Sequence, residues 1–86
     1  MMKRKKVYKL LDGEREYQDT VRKENEKETR EDSEKSVADF ILYMENKLDE
    51  AKHHVYYLSN EAAMDSIRKV TGLGVAAMEA FGANPR

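Results

Sequence analysis

The chain has no cysteine, one proline and four glycines. Without cysteine there is no disulfide, no thiolate zinc site and no thiol nucleophile. That composition is compatible with the cytoplasm, where we expect the protein to work. The proline, Pro85, stands next to the C-terminus and limits any helix there. No glycine-rich phosphate loop, Gly-x-Ser-x-Gly elbow or zinc-finger spacing occurs. Apolar runs are only a few residues long, too short for a transmembrane span or a signal-peptide core, so no membrane partner is expected.

The chain has 86 residues, the size of one small domain. Charged residues make up 38% and hydrophobic ones 40%, which suits neither a membrane protein nor full disorder. The net charge of −1 hides an uneven distribution. Residues 1–10 carry five bases (Lys3, Arg4, Lys5, Lys6, Lys9) and no acid. Residues 11–35 carry ten acids and six bases, and Val21 is the only large apolar residue between Asp19 and Ser36. Such a segment cannot offset its ordering entropy by burial. Residues 19–35 are therefore expected to be a mobile charged arm or a solvated helix held by Glu–Lys pairs. Residues 1–10 read as a basic tail or a packing segment.

Helical periodicity begins at Ser36. Ser36 and Asp39 have the spacing of a capping box. Val37, Ile41, Met44, Leu48, Ala51, Val55 and Leu58 follow at alternating intervals of four and three, an a/d seam. Ser59 or Asn60 can cap a second helix, with Glu61 at its positive end. Its apolar set is Ala63, Ile67, Val70, Gly74, Ala77 or Met78, and Phe81, and Gly82 is placed to end it. The fold expected is all-α: an antiparallel hairpin of about 36–58 and 60–81 plus a short N-terminal helical segment. Gly72 and Gly74 inside the second helix point to close helix–helix approach, or to room for a ligand.

A hairpin of this size makes a marginal core. Leu42, Tyr43, Tyr56 and Tyr57 form a second stripe off the seam. Its cover is expected from the N-terminal segment (Val7, Tyr8, Leu10, Leu11, Tyr17), from another subunit of a homo-oligomer, or from both. The plain alternative leaves these tyrosines half exposed.

Few residues carry obvious chemistry. His53 and His54 are adjacent and diverge on a helix, although Asp49/His53 and Glu50/His54 each have i,i+4 metal-ligand spacing. No third histidine exists, so helix-surface hydrogen bonding is the expected role. Glu45, Asp49, Glu50, Glu61 and Asp65 form a loose acidic set of the kind that can hold Mg²⁺ for phosphate chemistry. An antiparallel hairpin would bring Glu61 and Asp65 nearer His54 and Tyr57 than Glu45, which argues against one compact site. The basic N-terminus can touch nucleic acid, but the acidic remainder would repel a phosphate backbone.

Four stretches carry a family resemblance: Glu14–Asp19 (Glu-Arg-Glu-Tyr-Gln-Asp), Ser36–Glu45, Leu48–Ala51, and Ile67–Glu79 with its Val-Thr-Gly-Leu-Gly-Val-Ala-Ala-Met. Together they resemble small MazG-like proteins of the all-α nucleoside triphosphate pyrophosphatase group, many of them encoded by bacteriophages. The resemblance spans roughly Asp12 to Arg86. It implies a helical, oligomeric protein. In active members an ExxE motif on one helix and an ExxD motif on the next bind Mg²⁺. Here the second acid of the first motif corresponds to Glu50, while the first falls on Lys47; Asp65 opens the second motif, whose final acid falls on Arg68. A base in place of a carboxylate repels Mg²⁺. The resemblance thus implies a fold relative without catalysis. A positive site at Arg68, Lys69, Lys47 and His54 would hold an anionic nucleotide without hydrolysing it.

The leading expectation is a non-catalytic, oligomeric helical binding protein without a cofactor, of a phage accessory type. It would bind a host or partner protein through Leu42, Tyr43, Tyr56 and Tyr57, or sequester a nucleotide-like ligand. The first alternative is a Mg²⁺-dependent pyrophosphatase with Glu45, Asp49, Glu50 and Asp65 as ligands and Arg68 or Lys69 on phosphate. The second is a nucleic-acid-binding regulator using residues 3–9.

Overall fold

A computed structural model describes residues 1–24 and 35–86. Three helices account for nearly all of them: α1 (Arg4–Glu24), α2 (Val37–Tyr57) and α3 (Asn60–Phe81). Helix α1 is 21 residues long, as long as α2. The N-terminal segment is thus a full helix and not a short one. The basic stretch is helical from Arg4, and the segment 19–35 is helical through Glu24; residues 25–34 lie outside the described residues.

Helix α2 starts where the capping box places it. The Asp39 N–H donates to Ser36 Oγ at 3.1 Å, and the Ser36 N–H donates to Asp39 Oδ2 at 2.9 Å. Two first-turn donors are thereby satisfied. The N–H groups of Leu58 and Ser59 both donate to the His54 carbonyl, at 2.9 and 2.8 Å, and close the helix. Ser59 then caps α3 by accepting from the Ala62 N–H at 3.0 Å. The connection is so short that α3 must return along α2. Gly82 ends α3 at φ +72°, a conformation that disfavours a side chain, and donates its N–H to the Met78 carbonyl.

The α2–α3 interior is small. Phe40, Ala51, Ala63 and Ala76 are buried, together with the hydroxyl-bearing Ser66. Phe40 meets Phe81 edge to face, with centroids 6.2 Å apart. That contact ties the start of α2 to the end of α3, while Ala51 and Ala63 let the two backbones approach further along.

The predicted a/d seam does not coincide with this interior. Met44 and Ala51 face inward, but Val37, Ile41, Leu48, Val55 and Leu58 are exposed. The face turned to α3 is centred on Phe40, roughly 50° around the helix from the centre of the seam. The seam therefore forms one flank of the hairpin.

Helix α1 packs on α3 and makes no contact with α2 among the described residues. It therefore leaves the tyrosine stripe of α2 uncovered, contrary to one expected source of cover. Gly72 explains how α1 comes so close to α3. A Cβ there would meet Gln18 Nε2 at 2.7 Å and Glu14 Cγ at 3.0 Å. Gly74 faces the other way, with Met44 Cε 3.6 Å from where its Cβ would be. Close approach is thus the role of Gly72, and α3 lies between its two neighbours. No helix of the described residues is long and apolar enough to cross a membrane.

Candidate interaction site on the outer face of α2

The α1–α3 contact is polar. Glu14, with only 5% of its side chain exposed, accepts from Arg68 Nε at 2.8 Å. Gln18 Nε2 donates to Glu14 Oε2 at 3.0 Å and to the Lys69 carbonyl at 3.3 Å. Arg15, also buried, donates to Glu79, Gln18 and Asp19 at 2.8–3.2 Å. Burying Glu14 requires these partners, because an unpaired buried carboxylate is costly. Arg68 in turn is held above its ordinary pKa, chiefly by its hydrogen bond to Glu14 and then by the charges of Glu14 and Asp65.

These bonds decide what the candidate nucleotide site can offer. Arg68 is occupied by Glu14 and by Asp65, whose Oδ1 lies 2.9 Å from Nη1. Lys47 is occupied by Glu50, at 3.2 and 3.4 Å to the two carboxylate oxygens. Lys69 lends its backbone carbonyl to Gln18. His54 lies at the far end of α2, its Nδ1 buried and without a hydrogen-bond partner among the described residues. Arg68 thus faces α1, whereas Lys47 is tied along α2.

The candidate Mg²⁺ ligands are also dispersed. Asp49 is nine residues from Phe40, which puts it on the side of α2 opposite the interior. Glu50 is neutralised by Lys47, and Asp65 by Arg68 on the α1 side of α3. Glu45 is exposed. No group of three such side chains converges among the described residues. Carboxylates already paired with bases on different faces do not fit a Mg²⁺ site within one chain.

The side chains that do gather lie on the outer face of α2. His53 stacks on Tyr57 with centroids 5.9 Å apart, and Tyr56 lies 6.4 Å from Tyr57. With Asp49 and Lys52 they line an open hollow of about 290 Å³. Tyr56 is 82% exposed and Tyr57 78%; Leu42 is exposed as well. Tyr43 is half-buried beneath Lys35, whose Nζ lies 5.4 Å from the ring centroid. Of the four proposed interface residues, three are thus open to solvent. The hollow itself escaped sequence reasoning, although the i,i+4 spacing of His53 and Tyr57 was there to signal the stack.

Comparison of the chain with protein-family models, curated proteins and solved structures gave no match. The fold and this surface define an all-α protein, a helical hairpin flanked by a third helix, with an aromatic cluster open on its outer side.

Proposed function

We propose that the protein is a non-catalytic helical binding protein that engages a protein partner through the outer face of α2. The carrying observation is the open His53–Tyr56–Tyr57 cluster with Asp49 at its edge. Tyrosine anchors combine large apolar area with a hydroxyl and few rotamers, which suits them to interface centres. Leu42 extends the apolar surface, and Asp49 favours a partner segment that brings a basic group. In this reading the chain keeps a scaffold like that of small MazG-like proteins without their metal chemistry. The pairing of Lys47 with Glu50 and of Arg68 with Asp65 supports that view. The same pairings disfavour nucleotide sequestration, since phosphate would have to displace a carboxylate from each base.

Two measurements test the proposal. Isothermal calorimetry against a nucleotide panel, cyclic dinucleotides included, is run with and without Mg²⁺. No turnover heat and no binding are expected; steady turnover would revive the pyrophosphatase reading. Affinity capture then compares the wild-type chain with a Tyr56→Ser/Tyr57→Ser variant of unchanged helicity. A partner retained by wild type and lost by the variant is the expected result. Equal recovery by both would remove the tyrosine surface from the function.

A further inference from the structure

The basic stretch has no part in the tyrosine surface. Its five bases, Lys3, Arg4, Lys5, Lys6 and Lys9, are all exposed, and none has an ion-pair partner among the described residues. Arg4, Lys5, Lys6 and Lys9 stand on the first turns of α1. Counted at about 100° per residue, Arg4, Tyr8, Lys5, Lys9 and Lys6 follow one another around the helix over an arc of about 200°. The centre of that arc lies about 180° from Glu14, which meets Arg68 of α3. Val7, Leu10 and Leu11 lie within about 60° of Glu14, on the side turned to α3. Helix α1 thus presents its bases to solvent with one aromatic ring among them, and Tyr8 is 61% exposed.

We propose that this face of α1 binds a single-stranded nucleic acid, with backbone phosphates on Arg4, Lys5, Lys6 and Lys9 and a base stacked on Tyr8. The charge calls for a polyanion, since four unpaired bases within two turns repel one another until counterions or phosphates neutralise them. Tyr8 selects a single strand. Its open ring offers a stacking platform, and only an unpaired base has a free face to lay on it. The placement of the aliphatic residues argues against a bilayer. A helix lying on a membrane buries its apolar face in the lipid, whereas Val7, Leu10 and Leu11 turn towards α3 and away from the lysines.

The fold also mutes the repulsion expected from the acidic remainder. Glu14, Asp19, Glu50, Asp65 and Glu79 are each paired with a base. Asp12, the first acid of the chain, is seven residues from Lys5. That is about 10 Å along the axis, beyond the Debye length of about 8 Å at physiological salt. This face shares no residue with the tyrosine hollow, so each proposal can fail without the other.

Fluorescence anisotropy of a labelled oligothymidine of about 10 nucleotides, titrated with the full chain, tests the proposal. Binding is expected at low salt. Log K should fall with log salt at a slope of about −2 to −3, as about three or four neutralised phosphates imply. Lys5→Gln and Lys9→Gln should each flatten that slope by about 0.7. Tyr8→Ala should weaken binding about 5- to 100-fold and leave the slope alone. These positions lie outside the α1–α3 contact, so circular dichroism should not change. Absence of binding at low salt would overturn the proposal, and so would a slope untouched by both lysine variants. Equal affinity for a duplex of the same length, or for polyglutamate, would overturn the single-strand assignment, as would a Tyr8→Ala variant that binds like wild type. Capture by phosphatidylserine vesicles in place of the oligonucleotide would overturn it in favour of a membrane surface.

Discussion

The attachment of α1 to α3 rests on Glu14, and a double-mutant cycle with Arg68 measures how firmly. The Glu14 side chain is 5% exposed and the Arg68 side chain 36%, with 2.8 Å between Nε and Oε1. Two unit charges about 4 Å apart near a protein surface attract by about 4 kcal/mol at an effective dielectric of about 20. Desolvating Glu14 consumes part of this, and the exposure of Arg68 screens more. We therefore expect a coupling of about 1–2 kcal/mol, in the range of a hydrogen bond to a charged group. The cycle uses Glu14→Gln, Arg68→Gln and the double variant in urea titrations. Hydrogen exchange on α1 amides should rise in each single variant while α2 amides stay protected. Arg68 has a raised pKa, so its contribution is fully present below its unfolded pKa and lost only as pH rises through the higher folded one. Raising the pH from neutral to about 10 should therefore leave the coupling intact. A coupling below about 0.5 kcal/mol, or one that vanishes by that pH, would refute the claim that this bond holds α1.

Further outcomes follow from other contacts. Gly72→Leu should detach α1, since even a Cβ is crowded by Gln18 and Glu14; exchange protection should fall on α1 and persist on α2. Phe40→Ala should cost about 3–5 kcal/mol, because Phe40 is the largest fully buried side chain among the described residues, and the thermal midpoint reads this directly. Ser36→Ala should cost about 1 kcal/mol in the urea midpoint, with Asp39→Ala similar, because each removes one half of the reciprocal cap.

Much of the fold was legible locally. The Ser36/Asp39 cap, the turn at Leu58–Ser59 and the stop at Gly82 depend on residues within one or two turns of each other, and all three stand where the sequence puts them. Seam periodicity was legible too, but not its partner. A heptad stripe says that a face seeks cover, not which helix supplies it. Phe40 took the interior, edge to face with Phe81 across the hairpin, and that orientation turned the stripe outward.

Sequence alone determined where α2 and α3 begin and end and that they return on one another, but it foresaw only a short helical segment where α1 runs from Arg4 to Glu24. Caps, turn residues and short connections act through near neighbours, so their physics is complete in a few consecutive residues. Tertiary structure decided the rest. It placed Glu14 against Arg68 and left His53, Tyr56 and Tyr57 in the open. Glu14 and Arg68 are 54 residues apart in the chain. Only the packing of α1 on α3, permitted by the missing side chain of Gly72, sets the distance between them and thus the charge each presents.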